Sequence, residues 1–100
     1  MLQLTTQEQF KELLLGSSFL VWFSASWCGP CQRMDKAALE SASNIPLYYC
    51  DETVNIETID HVGIRTFPTF VLYSKGVEVA RRVSADTTKV CQWIKKFGLS

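Results

Sequence analysis

Hydrophobic positions change their period several times along the chain. Thr5-Thr6-Gln7-Glu8 reads as a capping box in which a Thr hydroxyl meets a free amide and Glu8 reaches back. Phe10, Leu13 and Leu14 follow at helical spacing, and Gly16 is placed to close this first helix. Residues 18–25, Ser-Phe-Leu-Val-Trp-Phe-Ser-Ala, are continuously apolar and aromatic, the pattern of a central strand covered on both faces. Met34, Ala38 and Leu39 mark the inner side of a second helix, with Lys36 and Glu40 spaced to pair on its solvent side. Asn44 and Pro46 bracket its end, and Leu47-Tyr48-Tyr49-Cys50 predicts another short buried strand. Ile56, Ile59 and Val62 predict a third helix that stops at Gly63. Thr69 to Tyr73 is a strand and Lys75-Gly76 a hairpin turn, after which Val77, Val79 and Val83 alternate with Glu78 and Arg82. Asp86 caps a last helix with the inner stripe Val90, Trp93, Ile94 and Phe97. With Leu2 to Leu4 as a weak first strand, the order is β-α-β-α-β-α-β-β-α. A crossover followed by a terminal hairpin implies an α/β fold: a mixed sheet of central parallel strands plus an antiparallel C-terminal hairpin, with helices on both faces.

Composition narrows the class. One hundred residues suffice for one domain, since a second would need about another hundred, so residues 1–100 are expected to form a single domain. Ten basic and ten acidic residues cancel, which argues against nucleic acid or an anionic membrane surface as partner. At 47% hydrophobic and 20% charged the chain has enough apolar surface to fold without staples. The longest unbroken apolar run, Phe19 to Phe23, is far short of the ~20 residues of a spanning helix. The start Met1-Leu2-Gln3-Leu4-Thr5 has no secretory-signal pattern, so a cytoplasmic location is expected.

Cys28 and Cys31 fall between a strand and a helix of a β-α-β unit, the setting in which C-x-x-C predicts redox chemistry. With Cys28 at the helix start and Cys31 one turn later, the two sulfurs reach disulfide distance without bending the chain. Free amides at a helix start favour a thiolate on Cys28. Pro30 suits the first turn, where its missing amide hydrogen has no helical partner, and it limits motion between the sulfurs. The competing reading is a zinc half-site. Zinc needs four ligands, and Cys50, Cys91 and His61 are isolated, so no metal is expected.

Trp27-Cys28-Gly29-Pro30-Cys31, preceded by Phe23-Ser24-Ala25-Ser26 and followed by Thr66-Phe67-Pro68-Thr69-Phe70, resembles the thioredoxin family over nearly the whole chain. The resemblance implies a thioredoxin-like fold and a dithiol–disulfide oxidoreductase that reduces disulfides in partner proteins. It makes Cys28 the exposed nucleophile and Cys31 the buried thiol that resolves the mixed disulfide. Pro68 matches the family's cis-proline, although cis occurs in only about 5% of X-Pro bonds and the residues alone favour trans. The backbone of Phe67 would pair with a substrate strand, Trp27 would shape the surface beside the nucleophile, and Gly29, Pro30 and Ser84 complete the substrate-binding set. No cofactor would be bound, and electrons would come from an NADPH-dependent flavoprotein thioredoxin reductase. Partners would be that reductase and disulfide-containing proteins such as peroxiredoxins or reductases, met by a monomer.

Four positions depart from the family pattern. Trp22 stands where thioredoxins carry a buried Asp thought to relay the resolving cysteine's proton, so slower resolution is expected. An aromatic residue there is similar to the tryparedoxin and nucleoredoxin branch, which carries Cys-Pro-Pro-Cys instead. Lys36 replaces a helix-kinking proline, predicting a straighter helix. Ser84 replaces a groove glycine, adding a Cβ that narrows backbone approach. The buried lysine that often accompanies the Asp has no counterpart near Leu47 to Tyr49, and losing both together leaves no lone charge in the core.

The remaining candidates have plain structural readings. Cys50 and Cys91 are small buried hydrophobes, His61 a cation at a helix end, and Arg81-Arg82 solvated strand faces. Two other functions compete with the reductase. An oxidase or isomerase of a secretory compartment is opposed by Gly-Pro between the cysteines, in place of Gly-His, and by the ending Gly98-Leu99-Ser100, which is no retention tail. A redox-independent binding subunit with the same fold would keep its role without either thiol.

Overall fold

The computed structural model describes residues 1–97, so the Gly98-Leu99-Ser100 ending lies outside the described residues. The elements are β1 (Leu2–Gln3), α1 (Gln7–Leu13), β2 (Phe19–Ser24), α2 (Gly29–Gln32), α3 (Lys36–Ala42), β3 (Leu47–Asp51), α4 (Ile56–Val62), β4 (Thr69–Ser74), β5 (Val77–Val83) and α5 (Thr87–Lys96). The sheet runs β1-β3-β2-β4-β5. β3 is parallel to both β1 and β2, whereas β4 is antiparallel to β2 and to β5. This is the mixed sheet expected.

All six residues of β2 are buried, as its unbroken apolarity requires. Alternate side chains go to opposite faces. Phe19, Val21 and Phe23 pack with Phe10 of α1 and Ile59 of α4, and Leu20 and Trp22 pack with Leu39 of α3 and Ile94 of α5. Helices therefore cover both faces. The hairpin turn places Lys75 at φ 53° and Gly76 at φ 79°, the paired positive angles a two-residue turn needs. A Cβ on Gly76 would meet the Leu14 carbonyl oxygen at 2.9 Å, so glycine is required twice over.

Several local expectations are corrected. The capping box is Thr6 with Gln9, not Thr5 with Glu8, because Gln9 Oε1 accepts from the Thr6 amide at 3.1 Å. Gly16 does not close α1. That helix ends at Leu13 and runs out through short-range bonds from Leu15 and Gly16 to Glu12 and Leu13. The segment after Cys31 is not a straighter helix but two, separated at 33–35 without proline. Asp35 makes the break by accepting from Ala38 N at 3.1 Å, while its own amide donates to Thr87 of α5 at 3.1 Å. Lys36 lies over the Tyr49 ring at 5.6 Å and does not pair with Glu40, which takes the Met1 amino group. The valines of β5 are all exposed, since an irregularity opposite Leu72/Tyr73 breaks their alternation on an edge strand. Phe97 is 41% exposed and leaves the inner stripe of α5 to Val90, Ile94 and the half-buried Trp93.

The end of α4 is served by Arg81. Its guanidinium donates to the carbonyls of Val62 at 3.1 Å and Gly63 at 3.3 Å while paired with Glu78 at 2.7 Å. Arg81 is therefore more than a solvated face, and the exposed His61 packs its ring edge toward Phe10.

Candidate active site

β2 delivers the chain to the upper edge of the sheet, where the turn Ala25–Cys28 closes through Cys28 N–H to Ala25 O at 3.0 Å. Cys28 has extended backbone angles and caps α2, while Pro30 sits within the first turn. Cys28 and Cys31 form a disulfide with Cα atoms 5.3 Å apart. The Cys31 amide also donates to Cys28 Sγ at 3.3 Å. One element thus sets both the spacing of the sulfurs and the donor aimed at the first.

Accessibility ranks the pair as expected but at a lower level. Cys31 is 0% exposed and Cys28 only 6%, so the proposed nucleophile is a nearly covered atom within a rim and not an open one. The rim is aromatic. Trp27 is 66% exposed, and its ring meets Phe67 edge-on at 5.8 Å. The Phe67–Pro68 bond is cis, Pro68 is buried, and the Phe67 carbonyl oxygen lies 4.0 Å from Cys28 Sγ. The structure thus gathers Trp27, Phe67 and Pro68 around the cysteine pair. Gly29 packs against the next turn, where an added Cβ would meet the Arg33 guanidinium at 3.1 Å. Ser84 takes no part in these contacts; its hydroxyl accepts from the Asp86 amide at 3.1 Å.

Trp22 belongs to a different layer. It is 1% exposed, stacks on Phe70 at 5.7 Å and meets its cross-strand partner Tyr49 edge-on at 5.0 Å. Met34 and Leu39, from the chain after Cys31, pack in the same cluster. Among the described residues the indole N–H has no hydrogen-bond partner, and its ring contacts are what hold it.

A polar group missed in the sequence lies on the other flank. Asp51 ends β3 and is 6% exposed. It accepts from the Ser26 amide at 3.3 Å, the Thr53 amide at 2.9 Å, and both hydroxyls of Ser26 and Thr53. Burial pushes its carboxyl up, but the bonds from Ser26 and Thr53 outweigh that and hold it below the usual carboxylate range. Next to it, Glu52 accepts the Trp27 indole N–H at 2.8 Å. The available signal was an Asp two residues before a Thr at a strand end, the pattern of a side chain that bonds the backbone two residues on. Its partner Ser26 lies 25 positions away, beyond local pattern.

The other thiols are in quieter surroundings. Burial, then the Asp51 charge, pushes the Cys50 thiol up to about 12. Cys91 is also raised, by burial first and the Asp35 charge after, with Lys95 pulling the other way. Its sulfur faces the Ala38 carbonyl oxygen at 3.7 Å. Among the described residues no group of three or more His, Cys, Asp or Glu could hold a metal ion. Among the same residues no helix is long and apolar enough to cross a membrane.

Residues 1–96 match the family model described as Thioredoxin. The chain is 33% identical over 94 residues to a thioredoxin of Malassezia sympodialis, covering 87% of this chain and 89% of that one. It is 37% identical over 78 residues to a thioredoxin of Geodia cydonium, covering 74% of each. Among solved structures it is similar to a Plasmodium falciparum thioredoxin, with a TM-score of 0.87 and 26% identity over 97% of this chain and 99% of that one.

Proposed function

The chain belongs to the thioredoxin family and is a thiol–disulfide oxidoreductase, and from that premise we propose that Cys28 attacks and Cys31 resolves in the reduction of protein disulfides. The observation that carries the assignment is the asymmetry of the pair. Cys28 keeps 6% of its surface exposed and has an amide donor at 3.3 Å, whereas Cys31 is fully covered. The Cys28 thiolate attacks one sulfur of a substrate disulfide, forming a mixed disulfide and releasing one substrate thiolate. The Cys31 thiolate then attacks Cys28 Sγ, forming the Cys28–Cys31 bond and releasing the second substrate thiolate. Two electrons pass from protein to substrate, and the disulfide in the structure is the product state.

The exposed Trp27 and half-buried Phe67 offer an apolar rim on which an extended segment beside the substrate cysteine can rest. Gly29, Pro30 and Pro68 line that approach, while Ser84, bonded to the Asp86 amide, is the member of the substrate-binding set with no contact to the pair. Electrons return from an NADPH-dependent flavoprotein thioredoxin reductase, and the substrates are disulfide-containing proteins, peroxiredoxins among them. The work is that of a monomer in the cytoplasm. The unpaired thiols of Cys50 and Cys91 support a reducing compartment.

The test is the Cys28–Cys31 reduction potential, read by equilibration with a thiol buffer of known poise. The expected value is near the roughly −270 mV of thioredoxins; one near the roughly −180 mV of protein disulfide isomerase would make the chain a donor of disulfides. Cys28→Ser abolishes turnover, and Cys31→Ser traps the mixed disulfide. A Cys28→Ser/Cys31→Ser double variant that still sustained the cellular role would favour a binding subunit.

A further inference from the structure

We propose that Asp51 is a positioning residue for Cys28, its carboxylate fixing the Ala25–Cys28 turn through Ser26. The inference rests on the reading of Cys28 as the nucleophile. Ser26 is the second residue of that turn, two positions before Cys28, and its own side chain is exposed. An exposed serine can satisfy its hydroxyl with water. Here both its amide and its hydroxyl instead reach the buried Asp51 carboxylate.

The geometry is a closed group and not a local turn alone. A strand-end Asp that served only its own loop would need nothing beyond the two bonds from Thr53. Asp51 adds two from a segment 25 positions away, and the Thr53 and Ser26 hydroxyls lie 2.9 Å apart, so the three side chains constrain one another. The carboxylate has no cation as partner among the described residues, and its charge is balanced by four donors. A buried charge so compensated holds its donors to one arrangement, because releasing any of them leaves it underbonded. Fixing Ser26 fixes the backbone angles inside the turn. These decide the direction in which Cys28 leaves it, and so the 3.3 Å approach of its sulfur to the Cys31 amide.

The full chain is reduced, and alkylation of Cys28 by iodoacetamide is followed against pH by mass spectrometry of its peptide. Insulin reduction supplies kcat/KM. Ser26→Ala keeps the Asp51 charge and its Thr53 bonds, so any change it makes is positional. It is expected to move the midpoint of the Cys28 profile upward and lower kcat/KM about fivefold, the effect of one lost hydrogen bond. Ser26→Thr restores both values. Asp51→Asn moves the midpoint in the same direction, and the Ser26→Ala/Asp51→Asn double variant is no worse than Asp51→Asn alone.

An unmoved midpoint in Ser26→Ala, or no rescue by Ser26→Thr, overturns the proposal. So does a downward midpoint in Asp51→Asn, which would mean that the carboxylate acts through its charge. Should Asp51→Asn fail to fold, the two Ser26 variants decide alone. A wild-type chain inactive on insulin would sink the reductase reading, while the alkylation profiles would still judge Asp51.

Discussion

The chain around the cysteine pair is supported from two directions by opposite chemistry. On one flank Asp51 and Glu52 hold Ser26 and Trp27 through hydrogen bonds, and Thr53 supplies the carboxylate's remaining donors. Beneath the segment that follows Cys31, Trp22, Tyr49 and Phe70 hold Met34 and Leu39 through ring contacts. A carboxylate is tolerated where four donors reach it. Where the neighbours are rings, even one indole N–H is left without a partner among the described residues. The lesson concerns direction. Hydrogen bonds fix the angle of a turn, which matters beside a nucleophile, whereas aromatic packing fixes only how deep a helix sits.

Exchanging the chemistries tests this most severely. Trp22→Asp removes a buried indole and places a carboxylate among rings, so it is expected to cost about 5 kcal/mol, read from urea unfolding of the oxidised protein. A loss under about 2 kcal/mol would show that the layer holds polar partners and would erase the contrast. Where the variant remains folded, stopped-flow release of substrate from the mixed disulfide is expected to be faster. An unchanged rate would confine Trp22 to packing.

The next effect concerns acid. Asp51 has a folded pKa below its unfolded value, so its stabilisation is complete above the unfolded value of about 3.9 and is lost as pH falls through the lower folded one. Urea midpoints should therefore drop on the acid side for the wild type and be flatter for Asp51→Asn. Parallel acid limbs would place the sensitivity elsewhere.

A smaller effect separates the thiols. With Cys50 pushed up to about 12, neutral-pH alkylation of the reduced protein is expected to label Cys28 and spare Cys50. Mass spectrometry of the two peptides reads the outcome, and equal labelling would mean that the core around Cys50 opens.

The smallest effect belongs to the outer edge of the polar flank. Glu52→Ala removes the acceptor of the exposed Trp27 indole and is expected to cost less than about 1 kcal/mol in thermal unfolding while shifting Trp27 emission. A larger loss would make Glu52 as much an anchor as Asp51.

Legibility followed the range of the interactions. The buried strand 19–24, the edge-to-core hairpin and the Cys28–Cys31 pair could be read because each is a property of neighbouring residues. Trp22, Ser84 and Lys36 all depart from the family pattern, but only Trp22 sits in a distinctive layer. The break at 33–35 was illegible because Asp35 caps α3 while its amide is held by Thr87 of α5. The exposed β5 valines were misleading because an irregular register with β4 overrode their alternation. Asp51 was overlooked because a strand-end Asp is common and its reach to Ser26 is not local.

By itself the sequence determined the order of strands and helices apart from the break at 33–35, the helix cap at Asp86, the left-handed stop at Gly63, and the placement of two thiols one helical turn apart. These depend on backbone angles and spacings within a few residues, which side-chain chemistry sets directly. Tertiary structure alone decided that Cys28 is nearly covered, that Phe67 and Pro68 lie beside it, and that a carboxylate from β3 holds its turn. Those outcomes require the sheet to bring residues 26, 51 and 67 to one edge. Only chain closure, in which the burial of β2 outweighs the entropy of joining distant segments, supplies that proximity.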